Sequence, residues 1–114
     1  MREDDQIRLR HMLAAAREAV HFAEGKTRDD LGKDRLLALG LMKCIEIIGE
    51  AASKSSEGCR ETLPEIPWKS ILGMRNRLVH AYFEIDLDVV WYTTTVSLPP
   101  LIPIPDRNTP GARK

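Results

Sequence analysis

Apolar residues near the N-terminus recur at intervals of three and four, which predicts an amphipathic helix over about residues 6–24. The apolar stripe consists of Leu9, Leu13, Ala16, Val20 and Ala23. Asp4 and Asp5 precede the stripe, where a helix N-terminus favours acceptors and negative charge. Gly25 follows it and supplies a natural stop.

The strongest helical pattern covers about residues 33–56 and follows a polar connection, residues 27–32, that has room for one helical turn. One face of this helix carries Leu37, Leu41, Ile45, Ile48 and Ala52, and it is widened by Leu36, Met42 and Ile47. A helix that is apolar over so much of its circumference is buried on more than one side. We expect it to form the centre of a bundle, or of a bundle and a subunit interface.

Two further helices are predicted in the second half of the chain. Residues 57–67 contain Gly58 and two prolines and are interpreted largely as a linker, after at most a short helical extension. Pro67 marks the start of a third helix that runs toward Tyr82. Residues 86–98 are rich in strand-favouring side chains, but no second strand-like run exists to pair with them, so we predict a fourth helix capped by Asp86.

These elements predict an all-α fold, an up-and-down bundle of four to five helices within one domain of residues 1–102. Residues 103–114 form a Pro-rich tail that we expect to be disordered. A domain this small leaves much of its surface unburied, so pairing with a second copy would add stability.

The composition of the chain restricts which classes of function fit it. The formal net charge is zero, so any contact with nucleic acid must come from a local patch rather than from bulk charge. The acidic N-terminus is unlike a signal peptide, and no run of about 18 apolar residues exists to span a membrane. We therefore expect a cytoplasmic protein without membrane contact, in which Cys44 is a small buried hydrophobe.

The sequence contains no pattern typical of a metal or cofactor site. The three histidines lack cysteine or carboxylate ligands at the usual spacings, and there is no Gly-rich phosphate loop. His11 and His21 are interpreted as solvated polar residues of the first helix. We expect neither a metal nor a cofactor.

The most cationic stretch of this neutral chain is residues 69–82, which carry Lys69, Arg75, Arg77 and His80. Arginine holds phosphate through a fixed fork of donors, and histidine exchanges protons near neutrality. Arg75 and His80 beside a phosphodiester would suffice for RNA cleavage without a metal. Spacing alone favours the other interpretation, a solvated helix face with His80 as a favourable cap near the helix C-terminus.

Helical geometry limits how Arg75 and His80 could act together on one phosphate. At about 100° per residue, Arg75 and His80 lie about 140° apart around one helix. A straight helix would therefore not point both side chains at one phosphorus atom. Either the helix ends near His80, or the site is formed by two copies that meet across a two-fold axis.

Residues 73–83, Gly-Met-Arg-Asn-Arg-Leu-Val-His-Ala-Tyr-Phe, resemble the signature of the HepT-like family in the HEPN superfamily. That signature is an Arg, a polar residue, three further positions, a His, one residue and a Tyr. Four other blocks are similar to the family in the same order: residues 8–13, 45–52, 64–68 and 86–91. The resemblance covers about residues 4–102.

The resemblance implies a homodimeric helical bundle with the Arg and His of both subunits in a shared cleft. It implies a ribonuclease toxin of a type VII-like toxin–antitoxin pair, with RNA as substrate. The partner would be a minimal nucleotidyltransferase antitoxin that transfers AMP to Tyr82 and so silences the toxin. The catalytic residues would be Arg75 and His80, supported by Asn76, Arg77, Glu46 and Glu50.

One departure from the family keeps a second function class open. Relatives continue into a final amphipathic helix where this chain has its Pro-rich tail, which bears on stability, dimer packing and antitoxin contact. The alternative is a non-catalytic helical dimer that binds a nucleotidyltransferase partner or nucleotides.

Overall fold

The computed structural model describes residues 2–80 and 86–103, with the backbone alone for 77–80. Within these ranges every regular element is helical and no strand occurs, so the all-α prediction is confirmed. The α-helices are α1 Glu3–Ala23, α2 Arg28–Lys33, α3 Arg35–Lys54, α4 Glu57–Thr62, α5 Trp68–His80 and α6 Leu87–Tyr92. A π-helical segment, Thr93–Ser97, and a 3₁₀ turn, Pro99–Leu101, complete the order.

The described helices outnumber the predicted four to five because both polar connections form short helices. Thr27 and Asp30 make a reciprocal capping box that starts α2. Ser56 caps α4 by accepting from the backbone N–H of Cys59 at 3.1 Å. The interpretation of residues 57–67 largely as a linker was therefore wrong for Glu57–Thr62, since a local cap outweighs the glycine inside that helix.

Helix α3 is the centre of the bundle, as its pattern predicted, and packs against α1 on one side and α5 on another. Its buried residues include Leu37, Leu41, Ile45 and Ile48. Leu36 was expected on the buried side but is 83% exposed. It lies in the first turn of α3, about 100° around the helix from the buried Leu37.

Helix α1 begins at Glu3 rather than near residue 6, and its buried face is rotated from the predicted stripe. Its buried members are Asp5, Leu9, Met12, Ala15, Ala16 and Ala19. Leu13, Val20 and Ala23 are only half-buried. Three of these buried residues are alanines, whose small side chains let α1 approach α3 closely. The face of α1 that is buried is therefore the one that allows close helix contact, not the one with the largest side chains.

The α6 prediction is confirmed, including its cap. The Asp86 carboxylate accepts from the backbone N–H groups of Asp88 and Val89 at 3.1 and 3.2 Å. The helix then widens, and the N–H of Leu98 donates to the carbonyl of Thr93, five residues earlier, at 2.9 Å. Gly25 also ends α1 as predicted, at a φ of 71°.

None of the described helices combines the length and apolar character needed to cross a bilayer. The tail beyond residue 103 lies outside the described residues, as does Tyr82.

Candidate functional site

Arg75 of α5 lies directly over Gly49 of α3. A Cβ placed on Gly49 would come within 2.5 Å of the Arg75 Cβ and 3.0 Å of its Cγ. Side chains do not tolerate such distances, so only glycine permits this crossing of α3 and α5. The absence of a side chain at Gly49 therefore fixes where the Arg75 side chain crosses α3.

The guanidinium of Arg75 is held by the next residue of α3. Its Nη2 donates to Oε2 of Glu50 at 2.8 Å, while Nζ of Lys54 lies 3.1 Å from Oε1 of the same carboxylate. The hydrogen bond from Lys54, followed by that from Arg75, holds the pKa of Glu50 below its usual range. Glu50 therefore remains a carboxylate at neutral pH and orients two cations.

Arg75 stands at one side of an open groove, here called the α1/α3 groove, with a volume of about 680 Å³. Its lining is Asp4, Ile7, Arg8, His11, Lys43, Glu46, Ile47, Glu50, Ala51, Lys54 and Arg75. The residues from α1 and from α3 each repeat at intervals of three and four, so each set forms one face of its helix. The groove is thus bounded by two helical faces that carry mainly charged side chains.

The structure places three of the predicted site residues in this groove: Arg75, Glu50 and Glu46. Glu46 lies 3.9 Å from Lys43, whereas Glu50 contacts Arg75 itself. Asn76 is exposed on α5. For Arg77 the structure describes only the backbone.

His80 belongs to α5, which is helical from Arg75 through His80. The two positions are therefore about 140° apart around the helix axis. The backbone of one copy thus presents them on different sides of α5, and the described helix also ends at His80, so the structure fits both a helix end near His80 and a site formed by two copies. The predicted modification site, Tyr82, lies outside the described residues.

Reasoning from sequence missed the basic lining residues Arg8, Lys43 and Lys54, and it also missed the roles of His11 and Gly49. His11 was interpreted as a solvated polar residue, and it is exposed, but it also lines the same groove as Arg75. Gly49 was not singled out. Two features of the sequence could have indicated these residues. Asp4, Arg8 and His11 lie on one polar face of α1, and Gly49 precedes an acid, Glu50, in a helix that is largely buried.

The acidic and histidine side chains that line this groove are not arranged as the ligands of a metal ion. Among the described residues, no three His, Cys, Asp or Glu side chains are placed to hold a metal ion. Cys44 is buried as predicted, and burial raises the pKa of its thiol to about 11. A thiol in that environment stays protonated and does not act as a nucleophile.

Comparison with known proteins agrees with the resemblance in the motif. Residues 12–107 match the family model described as "Ribonuclease HepT-like". A protein of Caldanaerobacter subterraneus subsp. tengcongensis, named "Putative RNase", is 33% identical over 93 residues, which cover 82% of this chain and 83% of the relative.

Two archaeal proteins are similarly related. "Probable ribonuclease HepT" of Thermococcus cleftensis is 35% identical over 88 residues, covering 74% of this chain and 80% of the relative. A "Putative RNase" of Methanocaldococcus jannaschii is 30% identical over 98 residues, covering 86% of this chain and 84% of the relative. No solved structure matches the chain.

Proposed function

Because this chain belongs to the HepT-like ribonuclease family, we propose that it is an endoribonuclease in which Arg75 and His80 cleave RNA without a metal ion. The observation that carries the proposal is the position of Arg75. Its side chain packs over Gly49, its guanidinium is hydrogen-bonded to Glu50, and the residue lines an open groove. An arginine oriented in this way is suited to a phosphodiester, since its remaining donors match phosphate oxygens.

The proposed reaction is an internal transesterification. His80 accepts the proton of the ribose 2′-OH while the 2′ oxygen attacks phosphorus, and the bond from phosphorus to the 5′ oxygen breaks. The departing 5′ oxygen takes up a proton from solvent, and the His80 imidazolium gives its proton back to solvent after the step. Arg75 stabilises the charge that builds up on the phosphoryl oxygens. The products are a 2′,3′-cyclic phosphate and a free 5′-OH.

The angle between Arg75 and His80 favours a site shared by two subunits. Since α5 is helical between them, one copy presents the two positions about 140° apart. In a two-fold dimer, Arg75 of one copy would face His80 of the partner subunit, so that each site takes one of the two groups from each copy. We therefore propose that the active species is a homodimer.

The nuclease proposal is tested by incubating purified protein with total RNA in EDTA. We expect the wild type to cleave and His80→Ala and Arg75→Ala to leave the RNA intact. His21→Ala is the matched control, because His21 is exposed on α1 and does not line the groove. If wild type and His80→Ala leave the same RNA pattern, the protein is not this nuclease.

Subunit mixing tests the shared site. A hybrid dimer of an Arg75→Ala copy and a His80→Ala copy contains one site with both wild-type groups if each site takes one residue from each subunit. We expect the mixture to recover cleavage that neither variant has alone. A mixture as inactive as its components would show that both groups act within one copy.

We further propose that the nuclease is the toxin of a toxin–antitoxin pair and acts in the cytoplasm. Its partner would be a minimal nucleotidyltransferase that transfers AMP to Tyr82. AMP on Tyr82, two residues from His80, would add bulk and negative charge beside the site that binds the RNA phosphate. RNA binding would then be prevented because the AMP repels the phosphate and fills its site. Asn76 is proposed to orient His80, and Arg77 and Glu46 to support the charge balance.

The modification is tested by mass spectrometry after co-expression with a nucleotidyltransferase encoded beside this chain. The chain has two tyrosines, so Tyr92→Phe is the matched control; Tyr92 is exposed on α6. We expect the mass gain to persist in Tyr92→Phe and to vanish in Tyr82→Phe. A gain that persists in Tyr82→Phe excludes Tyr82 as the acceptor. Partner binding without RNA cleavage or growth arrest would instead select the non-catalytic binding module.

A further inference from the structure

The α1/α3 groove contains more cationic groups than one phosphate contact requires. Besides Arg75, its lining includes Arg8 and His11 from α1 and Lys43 and Lys54 from α3. Lys43 and Lys54 are eleven residues apart on α3, which is about 16 Å along the helix axis. This length corresponds to several nucleotides of an RNA strand.

The acids in the groove are largely matched by these cations. Glu50 is bonded to both Arg75 and Lys54, and Glu46 lies 3.9 Å from Lys43. The lining itself holds four permanently basic side chains, three acidic ones and His11, and Arg8 also lies 3.8 Å from Asp5 beside the groove. Basic side chains are therefore concentrated along one groove of a chain whose formal net charge is zero. Such a patch favours a polyanion without attracting nucleic acid to the whole surface.

The apolar part of the lining indicates which parts of a nucleic acid fit. Ile7, Ile47 and Ala51 lie between the charged residues, and Ile7 is 40% exposed. They offer contact surface to ribose and to base edges. The described lining contains no Phe, Tyr or Trp, so base stacking, the usual source of affinity for single strands, has only the His11 imidazole and the arginine planes to use here.

We infer that the α1/α3 groove holds the single-stranded RNA that flanks the scissile phosphate, with His11 and Lys43 contacting its phosphates. The inference rests on the proposed function and extends it from the reacting phosphate to the neighbouring nucleotides. Recognition in this groove is through backbone charge and ribose rather than through base identity. The groove therefore contributes affinity and little sequence preference.

Binding of a uniformly 2′-O-methylated RNA oligonucleotide tests this inference, because such RNA lacks the attacking hydroxyl and is not cleaved. Fluorescence anisotropy gives the Kd of the wild type and of the double variant His11→Gln/Lys43→Gln. The matched control is His21→Gln/Lys33→Gln, which removes the same residue types from exposed positions outside the groove. Circular dichroism checks that both variants keep the wild-type helix content.

We expect the groove variant to raise Kd by about tenfold and the control to leave it unchanged. Lys43→Gln alone should reduce the slope of log Kd against log salt concentration by about 1, as loss of one phosphate contact does. On cleavable RNA, the groove variant should raise KM with little change in kcat, because it removes binding remote from the reacting atoms. Oligonucleotides of different base composition should lose affinity equally.

The groove inference and the nuclease proposal can fail separately, and the measurements distinguish these outcomes. If wild type cleaves RNA and the groove variant binds as tightly as the control, the groove inference is wrong and the nuclease proposal stands. If the wild type binds the oligonucleotide through the groove but cleaves no RNA, the groove inference stands and the nuclease proposal is wrong. A wild type that neither binds nor cleaves RNA overturns both.

Discussion

Gly49 of α3 and Arg75 of α5 are in direct contact, and the glycine leaves no room for a Cβ because the Arg75 Cβ would be 2.5 Å away. The atom that blocks this space is attached to the α5 backbone, so it cannot move aside as the end of a flexible side chain can. The packing of two helices and the placement of the groove arginine therefore depend on one missing methyl group.

We expect Gly49→Ala to destabilise the fold and to impair RNA cleavage. Overpacking costs about 1 to 3 kcal/mol, which exceeds the gain of up to about 1 kcal/mol from replacing a helical glycine by alanine. A displacement of Arg75 by about 1 Å would lower cleavage by about 100-fold. Urea unfolding and single-turnover RNA cleavage measure the two effects.

Gly73→Ala is the matched control for that experiment. Gly73 lies in α5 itself, and nothing stands within 4 Å of a Cβ placed there. The same substitution should therefore stabilise the protein by up to about 1 kcal/mol through helix propensity alone. If Gly49→Ala proves as stabilising as Gly73→Ala, α3 and α5 are not in the close contact described here.

Glu50→Gln should separate the two roles of the Glu50 carboxylate, which holds Arg75 in place and also cancels positive charge. Loss of the charge makes the groove more cationic, so KM for RNA should fall. Loss of the 2.8 Å bond leaves Arg75 less ordered, so kcat should fall by about tenfold. Steady-state kinetics resolve the two changes.

The exposed Glu57 at the start of α4 provides the control, since Glu57→Gln removes one negative charge away from the groove. This control should change neither KM nor kcat for RNA cleavage. A Glu50→Gln variant with a lower KM and an unchanged kcat would mean that Glu50 is a counter-ion only. Because Glu50 is half-exposed, its replacement should leave the free energy of unfolding nearly unchanged.

Much of the fold could be predicted because the decisive signals were local. The apolar face of α3 and the cap at Asp86 depend on residues close together in sequence. The register of α1 could not be predicted in this way, since the predicted stripe included Leu13 and Val20, which are only half-buried. In the folded chain Ala15 and Ala19 are buried because small residues permit close contact with α3.

The candidate site was less accessible to reasoning from sequence. Arg75 could be proposed from its chemistry, but its bond to Glu50 joins positions 25 residues apart and depends on how α3 and α5 cross. His11 belongs to a helix that carries none of the motif, so only the packing of α1 on α3 reveals that it shares a groove with Arg75. Spacing within one helix carries no information on such relationships.

The buried thiols give a prediction about chemical reactivity. Burial raises the pKa of Cys44 to about 11 and also raises that of Cys59, so neither forms much thiolate at pH 8. A thiol reagent should therefore react only after denaturant is added, when both cysteines become accessible. The variant Cys59→Ala isolates Cys44, and rapid labelling of this variant in the native state would show that Cys44 is not enclosed in the core.

The link between Asp5 and Ser56 predicts how stability depends on acid pH. Asp5 is buried in α1, and its carboxylate accepts from the backbone N–H of Ser56 at 3.0 Å and from its hydroxyl at 2.6 Å. The hydroxyl bond, then the backbone bond, lowers the pKa of Asp5 below its ordinary value of 3.8. The unfolded chain therefore takes up the proton first as pH falls.

We expect the stabilisation from Asp5 to be complete above about pH 4 and to be lost as pH falls through the lowered pKa. At neutral pH, Asp5→Asn should cost about 1.5 to 3 kcal/mol, the range for hydrogen bonds to a charged group. Urea titrations between pH 7 and 2.5 should show this difference shrink toward zero on acidification. Asp4→Asn removes the same charge from an exposed position in the same turn and should leave the unfolding free energy nearly unchanged. A difference between wild type and Asp5→Asn that stays constant with pH would mean that the ionised carboxylate does not hold Ser56.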